Sequence, residues 1–157
     1  MRIVVTGGSG ALGSEVVRRL EARGATVAPA SRRTGVDLAT GTGLEAALDG
    51  VDCVVHAATH RWRTRTVDLD GTRRMIKILA NRSTPAHVIY ISIVGCDRIP
   101  QRYYRVKYAC ELALEEGRAR DAVALIDQLR GLDLPVGDSD EEVSRLALRA
   151  AGQLGDA

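Results

Sequence analysis

Ile3-Val-Val-Thr-Gly-Gly-Ser-Gly-Ala-Leu-Gly13 is the stretch that decides the fold. Its β-branched start predicts a strand, and the residues after it predict a helix, because apolar side chains recur there at helical spacing. Among the glycines of this stretch, Gly7, Gly10 and Gly13 recur every third residue. Glycine lets a chain turn tightly against a ligand, and a helix start offers N–H groups and a positive dipole end to an anion. An isolated glycine pattern also suits an ordinary turn, but this strand–turn–helix context favours nucleotide binding.

Length and composition limit the class of protein. The 157 residues suit one domain, and the 45% hydrophobic content is enough for a single core. No apolar run approaches the ~20 residues that a membrane span needs. The start of the chain enters the first strand without a signal-peptide pattern, so the expected location is the cytoplasm. No membrane partner is expected.

Several kinds of site are disfavoured. The net charge of +2 and the 3% aromatic content argue against a nucleic-acid partner, since stacking platforms are missing. Three widely spaced cysteines, with no CxxC pair, predict buried thiols and no metal site. The basic stretch Arg61-Trp-Arg-Thr-Arg65 reads either as a solvated loop or as an anion- or substrate-binding rim.

Strands and helices alternate as far as residue 117. After the glycine helix, strands are expected at 25–28, 52–58 and 87–95, with a short extended piece at 35–38. Helices are expected at 44–48, 68–81 and 102–116. Strands that are apolar on both faces and separated by helices predict an α/β, doubly wound parallel sheet of about five strands. The strand ends, and the polar residues there, then meet at one edge, where ligands bind in such folds.

The tail differs from the rest of the chain. Residues 118–157 are expected to be helical and to pack on, or extend, the same domain. Residues 139–142 form a capping box ahead of an apolar-periodic run. Residues 122–126 read as a helix or as a further strand.

A tyrosine and a lysine form a second constellation. Tyr103 and Lys107 are four residues apart on a predicted helix, so their side chains share a face. A neighbouring ammonium lowers a phenol pKa from about 10, which makes a usable general acid. Ser92, near the end of the preceding strand, can hold a substrate carbonyl. The alternative is a surface helix on which the two side chains are chance neighbours.

In order and spacing, these motifs resemble the short-chain dehydrogenase/reductase superfamily, in its extended and atypical branches, which include NmrA-like proteins and sugar-nucleotide epimerases. The motifs are Thr6-Gly-x-x-Gly-x-x-Gly13, the segment Val54-Val-His-Ala-Ala58, Asp68-Leu-Asp-Gly-Thr72, Ser92 and Tyr103-x-x-x-Lys107. The resemblance covers residues 1–117 and implies a Rossmann domain there that binds NAD or NADP. It also implies hydride transfer between this cofactor and a carbonyl or alcohol, a small-molecule substrate.

The resemblance assigns roles to individual residues. Tyr103 is the implied general acid/base, Ser92 orients the carbonyl, and Lys107 holds the nicotinamide ribose. The implied cofactor-binding residues are Thr6, Gly7, Gly10, Ala11, Leu12, Gly13, Arg32, Arg33, Asp37, Leu38, His56, Ala57, Ala58 and Lys107. An acidic residue after the second strand binds the NAD ribose, whereas Arg32 and Arg33 stand there and suit a 2′-phosphate. NADP is therefore expected in preference to NAD.

The chain departs from the family pattern in two places. Asp68 stands where many relatives carry asparagine. The tail does not resemble the usual C-terminal substrate region, and the loss of that region would expose a sheet edge and favour a homodimer. Besides the oxidoreductase, two alternatives stay open: a non-catalytic, NADP-binding redox sensor or regulator of the NmrA-like kind, and a truncated remnant of such an enzyme.

Overall fold

The computed structural model describes residues 1–117. Their four strands form one parallel sheet in the order β2-β1-β3-β4. The strands are β1 (Arg2–Thr6), β2 (Thr26–Ala30), β3 (Cys53–His56) and β4 (His87–Tyr90). The helices are α1 (Ala11–Glu21), α2 (Leu44–Leu48), α3 (Asp70–Ala80) and α4 (Arg102–Glu116). A 3-10 turn (Arg32–Thr34) follows β2, and a π turn (Arg65–Leu69) precedes α3.

Both faces of the sheet are buried. Side chains alternate along each strand, so Val4, Val54 and Val88 enter one core together with residues of α2, α3 and α4. Ile3, Val5, Val55 and Ile89 enter the other core, with Val16 and Leu20 of α1. Two buried faces explain why these strands are continuous apolar runs and not alternating ones.

The strand order places a ligand-binding edge between β1 and β3. From β1 the chain moves outward to β2 and then returns to pair β3 on the other side of β1. This reversal separates the loops that follow β1 and β3, and a crevice opens at the carboxyl ends of the strands. Thr6 lies opposite His56 in the register, so the glycine turn and the residues after His56 border this crevice.

The predicted fold class is confirmed, and two helices, α2 and α4, have the predicted bounds. The strands predicted at 52–58 and 87–95 are shorter in the structure. The extended piece predicted at 35–38 does not join the sheet, which has four strands within residues 1–117. Pro29 is tolerated in β2 because this strand is at the sheet edge. The predictions for 118–157, including the choice between helix and strand at 122–126, lie outside the described residues. Among residues 1–117, no helix has both the length and the apolar character that crossing a membrane requires.

Candidate cofactor and catalytic site

The glycine turn after β1 and the start of α1 have no room for a side chain at three positions, Gly7, Gly8 and Gly13. Gly7 has a φ of 71°, and a β-carbon there would lie 2.7 Å from Cα of Ala58. A β-carbon on Gly13 would overlap the carbonyl oxygen of Gly7 and lie 2.7 Å from its carbonyl carbon. The spacing of these glycines therefore has a steric cause: the turn, α1 and the end of β3 pack backbone against backbone.

The first turn of α1 is open to a ligand. Gly10 is the N-cap residue, with a φ of −82° and no side-chain cap. Its own N–H donates to the carbonyl of Gly7 at 2.8 Å. The first N–H groups of a helix have no carbonyl partner within it. Ala11, Leu12 and Gly13 all line the crevice, so this helix start is placed to receive an anion.

The crevice is a cleft of about 770 Å³. Most of the predicted cofactor-binding residues line it, and these are Gly7, Gly10, Ala11, Leu12, Gly13, Arg32, Arg33, Asp37, Leu38, Ala57 and Ala58. The structure thus brings together residues that are distant in sequence, from the ends of β1, β2 and β3. A volume within the usual range for ligand pockets, lined mainly by small and apolar residues, suits an elongated organic ligand with an anionic centre.

The basic end of the cleft is the 3-10 turn after β2. Ser31 caps this turn in a capping box with Thr34, and its hydroxyl lies 2.7 Å from the hydroxyl of Ser9 in the glycine turn. Arg32 and Arg33 are exposed, and neither forms an ion pair within residues 1–117. Two guanidiniums without a protein anion form a ready site for a phosphate.

Asp37 lies at the same end of the cleft, and its carboxylate is hydrogen-bonded within its own loop. Its carboxylate accepts a hydrogen bond from the N–H of Ala39 at 2.8 Å. Leu38 packs into the core below it. The carboxylate of Asp37 therefore stabilises a turn at this end of the cleft.

Thr6 and His56 lie beneath the cleft and not in its lining. Both are fully buried, and Thr6 Oγ1 is 2.5 Å from Nδ1 of His56. The other ring nitrogen, Nε2, is 2.8 Å from the hydroxyl of Thr72, which donates to the carbonyl of Asp68. Burial, together with the nearby ammonium of Lys107, lowers the pKa of His56 to about 3. Neither side chain lines the cleft, and the predicted cofactor contacts of Thr6 and His56 stay predictions.

Tyr103 reaches the cleft through Thr59. Its phenol oxygen lies 3.3 Å from the hydroxyl of Thr59, which lines the cleft and donates to Oδ1 of Asp68 at 2.6 Å. Burial raises the pKa of Tyr103, and the charge of Asp68 acts in the same direction. The structure therefore raises the phenol pKa that the tyrosine–lysine pair was expected to lower.

Lys107 explains that difference. Its side chain is buried, its Nζ donates to the carbonyl of Ile91 at 3.1 Å, and it lies 4.0 Å from Oδ1 of Asp68. The ammonium also lies 4.8 Å from the ring centre of Tyr90. Burial lowers the pKa of Lys107, whereas the charge of Asp68 opposes that shift. The shared helix face was predicted correctly, but the lysine contacts the strand end and the carboxylate.

Ser92 belongs to a small polar cluster behind the strand end. Its hydroxyl donates to the carboxylate of Glu111, and the thiol of Cys96 donates to the same oxygen at 3.0 Å. Glu111 and Cys96 are buried, and burial with the carboxylate contact raises the pKa of Cys96 to about 11. All three cysteines are buried and free, as expected. The hydroxyl of Ser92 carries one hydrogen, which it donates to Glu111.

Some residues of the cleft carried no recognised signal in the sequence, and these include Thr59, His60, Val67, Ser9, Ser31 and Val36. Arg63 lines the cleft, which favours the interpretation of the basic stretch as a binding rim. The guanidinium of Arg61 instead lies over the ring of Trp62, 5.1 Å from the ring centre. The position of Thr59 directly after Val54-Val-His-Ala-Ala58 is the signal that could have found it, because residues after a parallel strand reach the ligand edge.

Comparison with known proteins identifies the family. The family model of the RmlD substrate binding domain matches residues 1–88, more than half of the chain. The chain belongs to the RmlD substrate binding domain family. The predicted membership of the short-chain dehydrogenase/reductase superfamily is thereby confirmed, while the NmrA-like branch stays a prediction. An uncharacterized protein of Mycobacterium tuberculosis (strain ATCC 25618 / H37Rv) is 31% identical to this chain in an alignment of 112 residues, which covers 64% of the chain and 13% of that protein.

Solved structures agree with this family in fold. A short-chain dehydrogenase/reductase superfamily protein from Agrobacterium tumefaciens, with bound NAD, has a TM-score of 0.61 and 23% identity, covering 74% of this chain and 44% of its own. The dTDP-4-dehydrorhamnose reductase of Bacillus anthracis, in complex with NADP, has a TM-score of 0.60 and 19% identity, covering 73% and 49%. The chain therefore spans less than half the length of both solved proteins and a small part of the mycobacterial relative.

Proposed function

We propose that this chain binds NADP(H) and acts as an oxidoreductase of the short-chain dehydrogenase/reductase type on a carbonyl or alcohol substrate. The observation that carries the proposal is the joining of two features at one cleft. The glycine turn and the start of α1 lie beside Arg32 and Arg33, and Thr59 links the same cleft to Tyr103. One part suits a phosphorylated dinucleotide, and the other suits proton transfer.

The residues present fit such a cofactor. The absence of side chains at Gly7 and Gly13 leaves backbone N–H groups at the helix start for a pyrophosphate. Arg32 and Arg33 would bind a 2′-phosphate, and Ala57 and Ala58 would border the cofactor's path towards Thr59. When bound, the nicotinamide accepts a hydride from an alcohol or gives one to a carbonyl. The solved relatives have NAD or NADP bound, which supports binding of a nicotinamide dinucleotide.

The chain's own residues would supply the proton. Tyr103 is the titratable side chain that reaches the cleft by way of Thr59, and it would give or take the proton of the substrate oxygen. Ser92 lies at the end of β4 and would orient that oxygen once its hydroxyl turns from Glu111. Lys107 holds Ile91 and Asp68 in place behind the tyrosine. A carbonyl substrate is supported by the name of the Bacillus anthracis relative, a reductase of the nucleotide sugar dTDP-4-dehydrorhamnose.

A second candidate is an NADP-binding module without catalysis, a sensor or regulator. Two observations favour it: burial raises the pKa of Tyr103, and Ser92 donates to Glu111 instead of facing a ligand. In this candidate function the cleft binds the cofactor, but no hydride or proton transfer to a substrate takes place. The two functions therefore differ in turnover and not in cofactor binding.

Turnover assays separate the two candidates. The full chain is assayed with NADPH against a panel of aldehydes, ketones and dTDP-4-keto sugars, and with NADP⁺ against the matching alcohols. The oxidoreductase predicts turnover that falls about 100-fold or more in Tyr103→Phe, the cost of losing a general acid. Tyr108→Phe, on the same helix, is the matched control. NADPH binding with no Tyr103-dependent turnover on the whole panel supports the non-catalytic module.

A further inference from the structure

Thr59 lies between two titratable groups that the sequence does not place together. Its hydroxyl is 3.3 Å from the phenol oxygen of Tyr103 and 2.6 Å from Oδ1 of Asp68. Tyr103 is half-buried at the cleft, whereas Asp68 is 1% exposed. The three side chains form a hydrogen-bonded line that runs from the cleft into the interior.

The line has a direction. A threonine hydroxyl carries one hydrogen, and an ionised carboxylate can only accept. Because Thr59 donates to Asp68, its oxygen must accept from Tyr103, so the phenol is the donor of the first bond. Each hydrogen in the line therefore points from the cleft towards the carboxylate, the order required for a proton to leave the cleft.

The interior end is built to hold a negative charge. The other oxygen of Asp68 accepts the main-chain N–H of His60 at 3.1 Å, and the ammonium of Lys107 lies 4.0 Å from Oδ1. The phenol has no comparable support, since Lys107 is directed to Asp68 and to Ile91. In this arrangement the carboxylate, and not a phenolate, carries the charge at rest.

We propose that Asp68 is the terminal proton acceptor of the site and that Thr59 relays the proton from Tyr103 to it. The proposal rests on the proposed oxidoreductase function. In alcohol oxidation, the substrate O–H bond breaks as Tyr103 takes that proton, Tyr103 passes its own proton to Thr59, and Thr59 passes its proton to Asp68. The hydride leaves the substrate carbon for the oxidised nicotinamide, so the alcohol loses one hydride and one proton and becomes a carbonyl. Carbonyl reduction reverses every transfer.

The first test needs neither cofactor nor substrate. The full chain is labelled with [ζ-¹³C]tyrosine, and the signal of Tyr103 among the four tyrosines is identified with Tyr103→Phe. The sample is titrated from neutral to mildly acidic pH. Protonated Asp68 donates to Thr59, which then donates to the phenol, so the Tyr103 signal is expected to shift in a step. Burial raises the pKa of Asp68, which brings the step towards the accessible range.

Matched variants at position 59 decide what causes the step. Thr59→Val keeps the shape and removes the hydroxyl, so the step should be lost, as it should in Asp68→Asn. Thr59→Ser keeps the hydroxyl and should keep the step. The titratable or charged groups that face Asp68 are Lys107, Tyr103 and Cys110 of α4, Tyr90 of β4 and His60 of the adjoining loop. A step caused by any of these groups would survive in Thr59→Val, and that result overturns the relay.

The second test uses turnover of whichever panel substrate depends on Tyr103. Thr59→Val should lower kcat by at least about 10-fold with little change in KM, while Thr59→Ser stays near wild type. In mixtures of H₂O and D₂O, wild type and Thr59→Ser should show a curved dependence on deuterium content, because several protons move together, and Thr59→Val should not. Equal kcat and equal curvature in all three overturn the relay. Failure of NADPH to bind overturns the proposed function instead, and the NMR result then still decides whether the hydrogen-bonded line exists.

Discussion

Gly13 faces the carbonyl group of Gly7 so closely that a β-carbon on Gly13 would overlap the carbonyl oxygen. Gly7 begins the turn that follows β1, and Gly13 lies in the first turn of α1. Their contact holds the helix start against the strand end, and this is where a pyrophosphate would be received. A substitution that disturbs this contact should therefore also disturb the proposed binding of the pyrophosphate.

Alanine substitutions in this turn should have graded effects. Gly13→Ala must displace backbone and should lower NADPH affinity strongly while reducing the melting temperature. Gly10→Ala should be milder, because its φ of −82° suits any residue and its nearest contact would be 3.2 Å from Gly7 O. NADPH titration and thermal unfolding of both variants check this order. Equal behaviour of the two variants would contradict the steric account.

His56 should make the protein sensitive to acid. Its pKa is lowered from 6.5 to about 3 in the folded chain, so between these values the unfolded state binds a proton that the folded state does not. Stability is therefore full above pH 6.5 and is lost as the pH falls towards 3, by about 1.4 kcal/mol for each pH unit. Urea unfolding across this range measures the slope. His56→Gln, which keeps polar atoms near Thr6 and Thr72, should remove this part of the slope, and an unchanged slope contradicts the assignment.

Removing Lys107 should leave Asp68 as a buried charge without its cation. Lys107→Met is expected to lower the free energy of unfolding by about 3 kcal/mol, the usual cost of breaking a buried pair. Lys107→Met/Asp68→Leu should recover part of this loss, because no uncompensated carboxylate remains. Denaturant unfolding of both single variants and the double variant measures the coupling. Strictly additive effects would show that the two groups do not interact.

The three thiols should be inert in the native protein. Burial raises the pKa of Cys53 and of Cys96 to about 11, and burial also raises that of Cys110. Since the thiolate is the reactive form, Ellman's reagent at mildly alkaline pH should find almost no thiol until denaturant is added, and three afterwards. Rapid reaction of one native thiol would show that its site opens.

Local patterns were sufficient to predict most of the fold. The bounds of α2 and α4 follow from apolar spacing and glycine stops, and the glycine turn follows from its own spacing. The ends of β3 and β4 were overestimated, because an apolar run does not show where its neighbour in the sheet stops. The lining of the cleft was largely predictable, since residues after parallel strands share one edge.

Contacts between elements were harder to foresee. Thr6 and His56 are opposite each other in the β1–β3 register, and only that register shows that their side chains meet in the interior. Spacing also placed Tyr103 and Lys107 on one face without showing that the ammonium extends to Ile91 and Asp68. The bond between Thr59 and Asp68 depends on the path of the intervening loop and π turn, for which the sequence carries no periodic signal.

The central claim, an NADP(H) site at this cleft, is tested most directly by titrating NADPH and NADH into the full chain and following nucleotide fluorescence. We expect NADPH to bind with a Kd below about 1 mM. Arg32→Ala/Arg33→Ala should weaken NADPH binding about 10- to 100-fold and leave NADH unchanged, since the lost bonds are to the 2′-phosphate. Arg73→Ala, an exposed arginine of α3 outside the cleft, is the control and should bind like wild type. Absence of binding by both nucleotides, or NADPH affinity that is indifferent to the arginine pair, would contradict the account.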